Sequence, residues 1–250
     1  MNVARNGDST TIEPNKKSVV LFPLDLGMVK AFAVRGEKTV LIDTGMPENR
    51  DLLLQKLREH GIQPAEISLV IVTHGHYDHF GNARYFQETV GAKILVHQAD
   101  AEAIRTGFTG FPRSFNFLGE AISIIVRTFH AVKSLAGRPE APAPAEPDIL
   151  IDGDYDLMPH GISGRIIPTP GHTPGGISVI LNSGDAIVGD LIGSIVKQSR
   201  PSIPLWGNDL SQLRKSIKKV MDCKPSLIHA AHVKPFKAHE FSDAFSWLKA

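Results

Sequence analysis

Four consecutive apolar residues, Leu69-Val70-Ile71-Val72, run directly into Thr73-His74-Gly75-His76-Tyr77-Asp78-His79. So short an apolar run, closed by turn residues, reads as a strand buried on both faces inside a covered sheet. A turn after such a strand ordinarily carries Gly, Asn, Asp or Ser for backbone reasons. Three imidazoles and a carboxylate within six positions ask for another cause, and the commonest is a metal ion. A chain built around this feature folds as layered strands and helices, with its polar groups gathered at a sheet edge.

Other segments repeat the style. Residues 19–22 read as a strand, and "KAFAVRG" with "KTVLIDTG" as a hairpin ending at Asp43-Thr44-Gly45. Residues 47–60 carry Leu52, Leu53 and Leu57 at helical spacing, with Gly61 as a stop. A helix is expected to begin over residues 82–88, and a strand over 93–96. In the second half, residues 165–167 lead as a strand into "PTPGHTPGG", and residues 177–181 and 186–188 form a second pair. Residues 210–221 are amphipathic, a strand starts at Leu227-Ile228, and residues 236–248 are expected as the last helix. Two similar blocks of strands and helices imply an α/β (α+β) fold with two sheets stacked between helix layers.

The expected organisation is a flexible polar tail over residues 1–17 and a single domain over 18–250, interrupted by an insert at 106–148. The insert holds Phe108, Phe111, Phe115 and Phe117, then an amphipathic pattern through Leu118, Ile122, Ile125, Phe129 and Val132, then the stiff "RPEAPAPAEP". It reads either as a helix packed on the core or as a substrate lid lined by the four phenylalanines. An apolar face over residues 115–135 would suit a homodimer. A net charge of +1 leaves no electrostatic footprint for nucleic acid or an anionic membrane. The apolar stretch 19–34 is broken by Pro23, Asp25 and Lys30 and is no membrane span. One cysteine, Cys223, excludes an internal disulfide and suits a reducing compartment, so a cytoplasmic location is expected.

A metal site seldom draws all its ligands from one loop. Three further stations follow apolar segments: "TPGHTPGG" around His172, "IVGDL" around Asp190, and "HAAHVKP" with His229 and His232. Prolines and glycines on both sides of His172 make a rigid turn that holds one imidazole in a fixed direction. His60, His97, His130, His160 and His239 have no motif around them. With no Gly-x-Ser-x-Gly elbow, a hydrolase of this sequence must use water as nucleophile.

"LIDTG", "THGHYDH" with Gly81-Asn82, "PGHTPGG" and "VGDL", in this order, resemble the metallo-β-lactamase superfamily, over nearly the whole chain. The resemblance implies a four-layer αββα sandwich with a helical insert and its site at the sheet edges. It implies two divalent metal ions, zinc first, with iron or manganese as alternatives. His74, His76 and His172 would hold one ion; Asp78, His79 and a late histidine would hold the second; Asp190 would bridge them. His232 matches the late position better than His229. Asp78 would also aim the attacking water, and Asp43 would orient a ligand imidazole. The pattern resembles the glyoxalase II and lactonase branches, which implies a hydrolase for a small-molecule ester, thioester, lactone or lactam. A mononuclear iron oxygenase of the persulfide dioxygenase type is the alternative, and a phosphodiesterase or nuclease a more distant one.

Overall fold

The computed structural model describes residues 18–110, 113–115, 117, 119–124, 141–193 and 200–248. The expected tail and most of the expected insert helix therefore lie outside the described residues. Six strands, β1 (Val20–Asp25), β2 (Lys30–Arg35), β3 (Thr39–Ile42), β4 (Ile67–Ile71), β5 (Lys93–His97) and β6 (Ile149–Ile151), form one sheet in chain order. A second sheet runs β12-β11-β10-β9-β8-β7. Its strands are β7 (Tyr155–Asp156), β8 (Gly164–Pro168), β9 (Ile177–Leu181), β10 (Asp185–Ile187), β11 (Leu227–His229) and β12 (Phe236–Lys237). Helices α1 (Arg50–Glu59), α2 (Tyr77–Phe80), α3 (Ala83–Tyr85), α4 (Ala101–Thr106), α5 (Leu210–Asp222) and α6 (Ala238–Ala244) fill the connections.

The strand period of two explains why the central runs are apolar throughout. In β4, Leu69 and Ile71 join Val40, Ile42 and Leu95 in a core shared with Ile166, Ile177, Val179 and Ile187 of the second sheet. The alternate residues Val70 and Val72 turn the other way, onto Leu53, Leu57, Phe80 and Phe86. On the far face of the second sheet, Ile167, Ala186 and Ile228 meet Leu213, Ile217 and Val220 of α5. Three cores separate four layers, so the architecture is the αββα sandwich.

Topology sets where the chemistry lies. β3, β4, β5 and β6 are parallel neighbours, so their C-terminal ends open on one edge. β10 and β11 are also parallel, which puts residues 188–190 and 230–232 at a common edge of the second sheet. Loops at the C-terminal ends of parallel strands are where open α/β sheets hold ligands.

Two local expectations are corrected. Phe236 and Lys237 form the edge strand β12 against β11, and the last helix starts only at Ala238. The fully buried Phe236 is held there by the outer core rather than by a helix face. The helix expected over 82–88 is a single turn at Ala83–Tyr85 followed by a π-turn at Phe86–Val90, which ends on left-handed Gly91. Strands β6 and β7 were not expected. They are three and two residues long, too short to show a period. No helix of the described residues is long and apolar enough to cross a membrane.

Candidate metal centre

β3 hands over to Asp43 and β4, through Val72, to Thr73 and His74, side by side on the same edge. The Asp43 amide donates to the Ile71 carbonyl at 2.9 Å. Asp43 adopts left-handed backbone, φ 59°, which Asp tolerates better than most residues but which still costs strain. That turn aims a fully buried carboxylate at the next loop. Its Oδ1 accepts the Thr73 amide at 2.8 Å, and its Oδ2 accepts the Thr73 hydroxyl and the His79 Nδ1 proton, each at 2.8 Å. The 73–79 loop is thus fastened to one side chain.

The second sheet supplies the rest. His172 stands in the turn between β8 and β9, Asp190 follows β10, and His232 follows β11. Gly189 before Asp190 has φ 52°, and a Cβ there would lie 2.7 Å from Thr73 Oγ1. Only glycine lets the two sheets' loops meet so closely. Seven side chains converge in two groups, His74, His76, His172 and Asp190 in one and Asp78, His79 and His232 in the other, each with ligand atoms within 4.8 Å of one another.

The Nδ1 atoms of four of the imidazoles are taken. His172 donates to the Trp206 carbonyl at 2.9 Å and His232 to the Met28 carbonyl at 2.7 Å. His79 donates to Asp43, and His74 Nδ1 lies 3.2 Å from Thr73 Oγ1, whose own proton goes to Asp43. These partners assign the tautomers and turn each Nε2 lone pair inward. His76 Nδ1 lies 3.1 Å from His74 Nε2 and 3.0 Å from His172 Nε2, three nitrogens that one shared proton cannot satisfy.

Asp190 faces both groups. Its Oδ2 lies 3.4 Å from His172 Nε2 and 3.9 Å from His74 Nε2, while its Oδ1 lies 3.5 Å from His79 Nε2 and 3.3 Å from His232 Nε2. Asp78 Oδ2 is 3.3 Å from His232 Nε2 and 3.7 Å from His79 Nε2. His79 Nε2 and Asp190 Oδ1 are buried and make no hydrogen bond. Buried polar atoms left this way call for a partner, and inward lone pairs beside ionised carboxylates fit a cation.

The electrostatics agree. Burial keeps His74 well below the usual histidine range, lowers His76 to about 3 and lowers His172, so the three imidazoles of the first group are neutral. Burial also opposes charge on His79, yet Asp78, Asp43 and Asp190 raise it to about 9. Asp190 and Asp78 likewise hold His232 well above its ordinary value against burial. Burial would raise both carboxyls, but His79 and His232 bring Asp78 down to about 2 and hold Asp190 well below the carboxylate range. The second group therefore attracts positive charge, and a metal ion bound there would displace the protons that supply it otherwise.

Not every candidate joins the centre. His229 Nε2 pairs with Asp185 Oδ1 at 2.9 Å and its ring meets Phe32 edge-on, away from the two groups. Beside His76 opens a cavity of about 540 Å³, lined among others by Ala103, Phe108, Arg113, Pro174 and Asn208. Among the described residues, Phe108 is the one lid candidate there. Phe115 packs instead on the core over α5, and Phe117 is 88% exposed. Phe111 lies outside the described residues. The polar groups that sequence reasoning passed over are Thr73, which relays Asp43 to His74, and the buried Asp100.

A family model described as the metallo-beta-lactamase superfamily matches residues 24–232. The chain belongs to that superfamily. A probable metallo-hydrolase of Methanocaldococcus jannaschii is 28% identical over 187 residues, covering 75% of this chain and 77% of the relative. An N-acyl homoserine lactonase of a Bacillus species is 25% identical over 213 residues, covering 74% and 72%. Metallo-beta-lactamase domain-containing protein 1 of Xenopus laevis is 49% identical over 63 residues, 25% of this chain, and the match spans only 26% of that relative. The solved BLEG-1 B3 metallo-β-lactamase shares the fold, with a TM-score of 0.62 at 19% identity over 92% of this chain and 100% of that one. A structure solved in a di-iron-bound form also scores 0.62, at 22% identity over 90% and 99%.

Proposed function

We propose that this metallo-β-lactamase-superfamily chain is a binuclear, metal-dependent hydrolase of a small ester, thioester, lactone or lactam. The observation that carries the reading is the division of the two Asp190 oxygens between two groups of histidines. His74, His76 and His172 would hold one divalent ion, Asp78, His79 and His232 the other, with Asp190 shared. Three neutral imidazoles leave a coordination position open, as a catalytic rather than a structural site does. Bound there, the ions would supply a water acidified to near neutrality and a polarised carbonyl oxygen.

The chain's own residues do the orienting. Asp78, ionised at neutral pH, is an acceptor at the edge of the centre that fixes the direction of a water proton. Asp43, through Thr73 and His79, keeps the imidazoles from turning. The cavity beside His76 has room for a small acyl compound against Ala103, Phe108 and Pro174. The names of the Methanocaldococcus and Bacillus relatives support hydrolysis, and a lactone among the substrates to be tried. Imidazole and carboxylate ligands suit zinc first, and iron or manganese as well; the di-iron-bound neighbour supports keeping iron in view. A cytoplasmic setting goes with the single cysteine.

The test is the metal content of untagged protein by plasma mass spectrometry, followed by hydrolysis of a panel of thioesters and lactones before and after chelation. About two divalent ions per chain and activity lost on chelation are expected. One iron per chain with oxygen uptake on a persulfide would replace this reading with an oxygenase.

A further inference from the structure

Asp100 stands just before α4, where an aspartate ordinarily caps the helix by accepting an amide of its first turn. It makes no such bond. Only 6% exposed, it turns both oxygens toward the metal-centre loops. Oδ2 accepts the Gly75 amide at 2.8 Å and the Thr173 hydroxyl at 2.6 Å, and Oδ1 accepts the Gly175 amide at 2.8 Å. Gly75 lies between His74 and His76, and Thr173 follows His172 directly. One carboxylate therefore grips the loop after β4 of one sheet and the loop after β8 of the other. The fit is close enough that a Cβ on Gly175 would come within 2.6 Å of the carboxyl group.

We infer that Asp100 is a positioning residue for the first metal group: it sets the His74–His76 loop at the spacing from His172 at which three imidazoles share one ion. The inference rests on the binuclear reading. It also assigns an asymmetry, because in the second group His79 is held by Asp43 and His232 by the Met28 carbonyl, and Asp100 makes no bond to either. An amide at position 100 cannot replace the carboxylate. Whichever way it is turned, its NH2 meets a backbone N–H of Gly75 or Gly175, and one buried donor is left unpaired.

The experiment is a zinc titration of the full chain against a competing chelator, on wild type, Asp100→Asn and Thr173→Val. Wild type is expected to take up zinc in two steps. Asp100→Asn should weaken one step about 10- to 100-fold, the range seen when a residue supporting a metal ligand is changed, and leave the other step nearly unmoved. Thr173→Val keeps the carboxylate and both amide bonds, folds more readily, and should weaken the same step about three- to tenfold. A residue that merely stabilises the fold would shift both steps together. Equal weakening of both steps, or no change in either variant, overturns the inference while the binuclear reading stands. A wild-type chain that takes up no zinc overturns both.

Discussion

Asp43 serves three donors with two oxygens, in a backbone conformation that few side chains accept. Asp43→Asn keeps the shape and the tolerance for left-handed backbone but sets an NH2 against the Thr73 amide or the His79 Nδ1 proton. Metal affinity should fall about 10- to 100-fold, read by chelator competition, with the larger loss in the group that contains His79. His232 and His229 give a sharper contrast three residues apart. His232→Ala should remove one ion per chain in a metal analysis. His229→Gln, which disturbs the pair with Asp185 and the ring contact with Phe32, should leave metal content unchanged at a stability cost of about 1 kcal/mol in denaturant unfolding. Proton competition fixes a direction with pH. His79, raised to about 9 by Asp78, Asp43 and Asp190 against its burial, must shed a proton before it binds metal. His232, also held above its ordinary value, must shed a proton as well, so affinity of the second group should rise between pH 7 and 9 by up to about a hundredfold per pH unit, with protons released to buffer in calorimetry. Four of the candidate ligands were legible in the sequence because they crowd into one six-residue stretch. Asp100 was not, since a single aspartate ahead of a helix looks like a cap, and only the folded chain shows what it grips instead.

Strands with an unbroken apolar run could be read from the sequence without knowing which residue faces which layer. The structure divides β4 between two cores, with Ile71 in the one between the sheets. Ile71 is fully buried, two residues before Thr73, so Ile71→Ala should cost about 2–5 kcal/mol in urea unfolding. The helices over 50–59 and 210–222 were equally legible, each long enough for its period to repeat. What escaped was short. β7 and β12 are two-residue strands that exist because a neighbour offers a free edge, and pairing of that kind leaves no pattern along the chain. The phenylalanine-rich segment is divided for a related reason, with Phe108 at the cavity and Phe115 on the core. Composition marks it as apolar, but whether each ring meets the cavity or the core over α5 is decided by neighbours far away in sequence.

At the scale of the whole molecule, the two sheets bury a common core and contribute four and three residues to the metal groups, from loops that meet at Gly189 and Thr73. Ions that bind the folded chain and not the unfolded one add to stability, by about 2.7 kcal/mol when free metal is a hundredfold above its dissociation constant. Chelation should lower the calorimetric unfolding temperature accordingly, and His76→Ala should shrink the difference between loaded and stripped protein. The distribution of the seven side chains also has a meaning in time. Synthesis delivers His74, His76, Asp78 and His79 long before His172, Asp190 and His232, so a nascent chain holds two members of each group and neither whole one. The seven side chains thus come together only once both halves have been made and have docked, and an ion held by either group would report that the two sheets are joined.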